Sequence, residues 1–371
     1  MKNNNYQQLT RTFQRLSRFS HLSSIASWDM FTMMPPGGSA ARGEALAEMS
    51  VLQHQILTDK KVGDLLAAAG EDLNDVEQAN LREMTRQYEQ AALLPESLVE
   101  AKSLAGSRCE HAWRSQRPAN DWEGFSENLK EVVKYSREEA RLRAEAKGCS
   151  PYDALLDIFE PGMTSAQLNV LFADVKSWLP DLLNKVVAKQ SQQSLIAPVG
   201  PFPTAIQREL GLETMAQLGF DFTAGRLDIS AHPFCGGVPE DVRITTRYDE
   251  NELLSALFGV IHETGHARYE QNLPRNWSGQ PIALARSTAI HESQSLFFEM
   301  QLGRSKAFLT RLIPAVTHYF GDQAAFEESN FIAWNQQVKP GFIRVDADEV
   351  SYPAHVILRY ERSEERRVGK E

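Results

Sequence analysis

Residues Gly259–Pro274 read GVIHETGHARYEQNLP, and within them His262-Glu263-Thr264-Gly265-His266 has the form H-E-x-x-H. On a helix, residues four apart lie ~40° apart around the axis, so His262 and His266 share a face, and Glu263 falls within the same ~100° arc. Two imidazoles on that face reach one ion, and the carboxylate between them reaches a water beside it. Asn251 or Asp249 can cap such a helix, and Pro274 stops it near Asn272. The plainer alternative is a helix whose two histidines are surface residues or satisfied core residues. The apolar run Leu253–Ile261 weighs against it, because it takes the helix into an interior. A buried glutamate and two buried histidines must be paired or must bind something.

The third ligand sets the class of site. A glycine at 269 and a histidine at 272 would mark one large group of zinc peptidases, but Tyr269 and Asn272 stand there. The alternative is a carboxylate from a later helix. ARSTAIHESQSLFFEMQLG, Ala285–Gly303, has helical patterning, and its Glu292 follows His266 by 26 residues with a proline-containing loop between them. That length lets one helix turn and pack back on the other. His291 is the competing donor, pointing ~100° away from Glu292 around the helix.

The composition narrows the remaining classes. The chain has 371 residues, room for one large core or two to three domains of roughly 150 residues each. Its formal net charge of −10 repels phosphate backbones, so no nucleic-acid partner is expected. No apolar leader opens the sequence, and nine apolar-rich residues, Leu253–Ile261, are far short of the ~20 that span a bilayer, so no membrane association is expected. The three cysteines, Cys109, Cys149 and Cys235, include no C-x-x-C pair. Reduced thiols and a cytoplasmic location follow as expectations.

Helical signals dominate elsewhere. Glu77–Ala92, Asp121–Lys147, Ser165–Gln190 and Ala205–Leu218 combine apolar spacings of three and four with strong helix formers, and Pro180 is expected to break or kink the third. Gly225–Tyr248, GRLDISAHPFCGGVPEDVRITTRY, reads instead as short strands or extended loops, a small β element directly before the H-E-x-x-H helix. Such a sheet edge can hold an extended peptide. The chain ends in RSEERRVGKE, which carries one apolar side chain, Val368. The expected organisation is one helical unit over 1–361, followed by a disordered tail, 362–371, foreign to the natural protein.

Five motifs occur in order: HPF at His232–Phe234, DVRIT at Asp241–Thr245, HETGH at His262–His266, HESQ at His291–Gln294 and IRVDAD at Ile343–Asp348. With SWDMFTMMPPGG at Ser27–Gly38, they make the chain resemble the thermostable carboxypeptidase Taq (M32) family of metallocarboxypeptidases, in its enterobacterial-type form, over residues 1 to about 361. The resemblance implies a mostly α, multi-helix, groove-containing fold similar to angiotensin-converting enzyme and neurolysin, and a homodimer. It implies release of C-terminal residues from peptides with broad specificity, proline being poorly accepted. It also implies one Zn²⁺ or Co²⁺ per chain, bound by His262, His266 and Glu292, with Glu263 as general base. Family members continue past this chain's end into a motif of the form G-x-x-Q-D-x-H-W, absent here. The expected reading is therefore a C-terminally shortened member.

The remaining roles are read from chemistry. A bound metal lowers the pKa of its water and polarises the scissile carbonyl. Glu263 then takes the water's proton and passes it to the leaving amine. His232 is a candidate donor to the developing oxyanion, and a turn before Pro233 accounts for it equally well. Arg344 is the first candidate for the substrate's terminal carboxylate, since a guanidinium grips that group with two hydrogen bonds. Arg243 is the second, with a structural pair to Asp241 as its main expectation. His355 shares a helix face with Tyr352 and is placed near the site, or in packing. Asp346 and Asp348 read as loop anchors, and Trp28, Met30, Met33 and Met34 as core or lid contacts. Two other functions use the same features: a metallo-oligopeptidase cutting internal bonds, and an inactive peptide-binding fragment.

Overall fold

The computed structural model describes residues 4–344 and 347–367, with side chains through Arg362. The fold is mostly helical with one small sheet, as expected. The described chain divides into two compact units.

The first unit comprises Met1–Ile158, Gly236–Arg243 and Glu270–Arg286. It holds α1 (Asn4–Thr32), α2 (Ser39–Thr58), α3 (Lys60–Ala68), α4 (Asp75–Ala92), α5 (Glu96–Gln116), α6 (Trp122–Lys147) and α7 (Pro151–Phe159). Tyr6, Leu9, Phe13 and Leu16 recur every three or four residues along α1, and they pack with Val62 and Leu65 of α3 and Met84 of α4. Asn80 is fully buried there, yet satisfied. Its Nδ2 donates to Tyr6 Oη at 3.0 Å and Gln280 Oε1 at 3.2 Å, and its Oδ1 accepts from Ile282 N at 3.2 Å.

The expected helices appear close to their expected limits. Helix α4 starts two residues before the Glu77 read from periodicity, because Asn74 caps it. Asn74 Oδ1 accepts from Val76 N and Glu77 N, each at 3.0 Å, and Glu77 Oε2 reaches back to Asn74 N at 3.1 Å. Helix α6 begins after Asp121, whose carboxylate accepts from Gly124 N at 2.8 Å, and closes at Gly148 with φ 63°.

The second unit comprises Phe159–Cys235, Ile244–Tyr269 and Ser287–Glu371. Its helices include α8 (Ser165–Gln190), α9 (Thr204–Gln217), α11 (Thr288–Leu296), α12 (Lys306–Phe320), α13 (Glu328–Asn335) and α14 (Tyr352–Arg367). Helix α8 runs on through Pro180, where a break or kink is the sequence expectation. Pro180 and Lys176, whose carbonyl loses its partner, are both exposed, so water can serve that group. The tail expected from Arg362 onward lies partly beyond what is described: helix backbone extends to Arg367, and 368–371 are outside the described residues.

The region read as strands forms β1 (Gly225–Ile229), β2 (Cys235–Val238) and β3 (Asp241–Thr246), in sheet order β1-β3-β2. The tight β2–β3 connection needs a glycine. Gly237 has φ 109°, and a Cβ there would lie 2.0 Å from Asp241 O.

Candidate metal centre

The H-E-x-x-H stretch lies on α10 (Leu253–Gln271). An Asp249 turn precedes the helix, with Asn251 N donating to Asp249 Oδ1 at 2.8 Å. Leu253, Leu257, Phe258 and Ile261 join Leu309, Leu312 and Val316 of α12 and Phe331 of α13 in one apolar cluster. That cluster fixes the helix rotation and so the direction of the next turn, which carries His262, Glu263 and His266.

Glycine at 265 is what lets α11 come close. A Cβ there would lie 2.7 Å from Gln294 O and 2.7 Å from Ser295 Cα, so backbone meets backbone. This contact sets Glu292 beside the two histidines. Its Oε2 lies 3.3 Å from His266 Nε2 and 3.9 Å from His262 Nε2. The three residues offer ligand atoms that all lie within 4.8 Å of one another. Around them, His262 Nδ1 donates to Glu299 Oε2 at 2.8 Å. His266 Nδ1 lies 2.6 Å from His291 Nδ1, so one of the two must donate and the other accept. Were His266 Nε2 to give its lone pair to an ion, His266 Nδ1 would hold the proton and His291 would accept it. Tyr352 Oη donates to Glu292 Oε1 at 2.9 Å, and Arg344 Nη1 donates to Tyr352 Oη at 3.0 Å. Ser295 Oγ lies 3.1 Å from Glu292 Oε2 and donates to Glu292 O at 2.7 Å.

The electrostatics follow from this packing. Glu263 is only 5% exposed, and its Oε2 has no hydrogen-bond partner among the described residues. Burial, opposed by His262 and aided by Glu292 and Glu299, pushes its pKa up to about 7. Burial would also raise Glu292, but hydrogen bonds from His266 and Tyr352 and the His262 charge pull it down to about 2. Burial pulls His262 down, and the Glu299 hydrogen bond with the surrounding carboxylates outweighs it, so this imidazole is raised. Burial dominates at His266, which is lowered. Burial and then Glu292 raise the Tyr352 phenol.

Two imidazole nitrogens and a carboxylate oxygen converge from α10 and α11, with a buried, unpartnered carboxylate beside them. This donor set fits a divalent cation of the borderline kind held by three protein ligands.

The other expected residues have these positions. Arg243 commits two donors to Asp241, Nε to Oδ1 and Nη2 to Oδ2, each at 2.9 Å, and its guanidinium lies 4.4 Å over Trp28. Asp241 also meets His21 Nε2 at 3.4 Å, and the Arg243 hydrogen bonds hold its carboxyl below the usual range. His232 is exposed, and its carbonyl accepts from Ser230 Oγ and from Thr245 Oγ1 at 3.4 Å. His355 is buried on α14, and its carbonyl accepts from Arg359 Nη1 at 3.2 Å. Asp348 anchors its loop, accepting from Lys339 N, Val350 N and Ser351 N, while Asp346 lies outside the described residues. Trp28 and Met30 are buried and Met33 is exposed. Sequence reasoning passed over Glu299, and over Tyr352 as a partner of Glu292.

Residues 8–367 match the family model described as carboxypeptidase Taq (M32) metallopeptidase. The chain belongs to this family. It is 37% identical to thermostable carboxypeptidase 1 of Thermus thermophilus, over 96% of this chain and 72% of that protein. It is 35% identical to carboxypeptidase 1 of Bacillus subtilis, over 94% and 70%. Among solved structures, Trypanosoma cruzi metallocarboxypeptidase 1 superimposes with a TM-score of 0.90 at 48% identity, covering 97% of this chain and 73% of its own. This M32 chain is accordingly a metallocarboxypeptidase, a hydrolase of peptide bonds that uses a divalent metal and takes peptides as substrates. Among the described residues, no helix is long and apolar enough to cross a membrane.

Proposed function

We propose that this M32 carboxypeptidase releases C-terminal residues from peptides with broad specificity and poor acceptance of proline, using one Zn²⁺ or Co²⁺ per chain on His262, His266 and Glu292. The carrying observation is the convergence of these three side chains beside the orphaned Glu263 Oε2. When bound, the ion supplies Lewis acidity and makes water a nucleophile near neutral pH. Glu263 takes a proton from the attacking water at Oε2 and hands it to the leaving amine. Its buried, unpartnered Oε2 is placed to accept that proton. His262 and His266 keep their Nδ1 protons toward Glu299 and His291, which leaves both Nε2 lone pairs for the ion.

Arg344 is the proposed receiver of the substrate's terminal carboxylate. Among the described residues its Nη1 donates to Tyr352, and a guanidinium has further donors that suit a carboxylate. His232 is the proposed oxyanion donor, with Arg243 and His355 as further substrate contacts. The chain is proposed to work as a homodimer in the cytoplasm, in keeping with its sparse cysteines, three in 371 residues with no C-x-x-C pair.

The test is mass spectrometry of products from matched peptides with free-acid and amidated C-termini, with and without a chelator. Stepwise, chelator-sensitive loss of single C-terminal residues from the free-acid set is expected. Internal cleavage of both sets would instead show an oligopeptidase, and binding without turnover would show a peptide-binding fragment.

A further inference from the structure

Tyr352 stands 60 residues from Glu292 in sequence, yet the two side chains meet, and the direction of each hydrogen bond is forced. Arg344 has donors only, so its 3.0 Å contact requires the Tyr352 oxygen to accept. With its oxygen accepting from Arg344, the Tyr352 hydroxyl has one hydrogen to give, and it donates to Glu292 Oε1 at 2.9 Å. The chain therefore runs one way: guanidinium, phenol, carboxylate. It ends on Oε1. The other oxygen, Oε2, is the one turned to His266 Nε2 at 3.3 Å and His262 Nε2 at 3.9 Å.

We infer that Tyr352 is a positioning residue that reserves Glu292 Oε1, so that Glu292 offers a single oxygen, Oε2, to the metal, and that Arg344 acts on the ligand set through this phenol. The inference rests on the reading of His262, His266 and Glu292 as the metal site. Two features set this contact apart from ordinary packing. A carboxylate with one oxygen saturated by a phenol resists swinging to bind through both oxygens, so the coordination number stays low and a position stays open. A charged donor behind the phenol also makes it a stronger donor. The cluster has further supports. Ser295 Oγ holds the Glu292 carbonyl at 2.7 Å. At the start of α11, Glu160 Oε2 accepts from Ala289 N at 3.0 Å, and both Glu160 oxygens accept from Ser287 Oγ. Backbone and helix are thus fixed independently of Tyr352, so removing its hydroxyl frees Glu292's carboxylate alone.

The experiment titrates metal-free protein with Zn²⁺ by calorimetry, and with Co²⁺ by visible absorption, in wild type, Glu292→Ala, Tyr352→Phe, Arg344→Ala and the Tyr352→Phe/Arg344→Ala double variant. Tyr352→Phe is expected to weaken Zn²⁺ binding roughly 10- to 100-fold, with the thermal midpoint of the metal-free protein unchanged. Its Co²⁺ bands are expected to lose intensity, as they do when a second carboxylate oxygen enters the coordination sphere. Arg344→Ala is expected to weaken binding severalfold in the wild-type background and not at all in Tyr352→Phe, which a purely through-space charge effect would not do. Wild-type affinity and Co²⁺ spectrum in Tyr352→Phe would overturn the inference. Should that variant fold poorly, an Arg344→Ala single variant with wild-type affinity and spectrum would overturn it as well. Unchanged affinity in Glu292→Ala is a different failure. It would overturn the metal-site reading itself and this inference with it.

Discussion

Replacing Gly265 by alanine tests how the site is assembled. The new Cβ would lie 2.7 Å from Gln294 O and 2.7 Å from Ser295 Cα, with Gln294 C at 3.1 Å. All three are backbone atoms, so no flexible side chain can move aside. Ordinary contact begins near 3.4 Å, so α10 and α11 must part by about 0.7 Å. Overpacking of this kind costs ~1–3 kcal/mol, and the better helix propensity of alanine returns up to ~1 kcal/mol. The net loss of stability is therefore between about 0 and 3 kcal/mol. The effect on the metal is the more direct one, because Glu292 rides on α11 while the histidines ride on α10. Metal–ligand distances tolerate only ~0.2 Å of change, so a 0.7 Å shift of one ligand is expected to weaken binding at least tenfold. The assay pairs calorimetric Zn²⁺ titration with urea unfolding of the metal-free protein. Wild-type affinity in Gly265→Ala would refute the claim that this backbone contact sets the ligand geometry.

Three further outcomes are expected. Glu263→Gln should retain Zn²⁺ and lose turnover by roughly a hundredfold or more, and activity within about tenfold of wild type would exclude Glu263 as the base. In the metal-free protein, Glu263 has a folded pKa of about 7, above its ordinary 4.5. Its contribution to stability is present below pH 4.5 and lost as pH rises to 7, so Glu263→Gln should gain up to about 3 kcal/mol over wild type between pH 5 and pH 8, and equal urea midpoints at both pH values would contradict this. Arg344→Ala, assayed at saturating Zn²⁺, should lower cleavage of free-acid peptides about ten- to a hundredfold while barely changing the slow cleavage of amidated ones, and equal losses on both would assign Arg344 a structural role only.

Much of this arrangement is legible locally. The H-E-x-x-H helix can be read because one face is apolar and the next turn carries the chemistry, and both properties depend only on 3.6-residue periodicity. The length of the connection, 26 residues with a proline turn, points to the helix that carries Glu292 but leaves His291 as a competing donor, and the choice between them comes with the family resemblance. The Arg243–Asp241 pair is readable because residues two apart in β3 share a face, and the structure has both of its hydrogen bonds at 2.9 Å. The start of α4 was also readable in principle, since Asn74 and Glu77 form a capping box, but apolar spacing alone begins the helix too late.

What stays hidden is the second layer of contacts, and the physical reason is specific. Glu299 reaches His262 from a six-residue π-helical segment, Phe297–Leu302, that continues α11. A π-turn changes the rotation per residue, and no local composition announces it, so a helical wheel drawn through Glu292 misplaces everything after Leu296. His291, the competing donor of the sequence reading, points ~100° from Glu292 on the wheel, and its Nδ1 lies 2.6 Å from His266 Nδ1. Tyr352 opens α14 and reaches Glu292 from 60 residues on, beyond α12 and α13, a separation that no local periodicity records. Ligands can be read because their spacing on a helix is a condition of their chemistry. The groups that orient them need only arrive at the right place, and folding delivers them by routes that short-range pattern does not record.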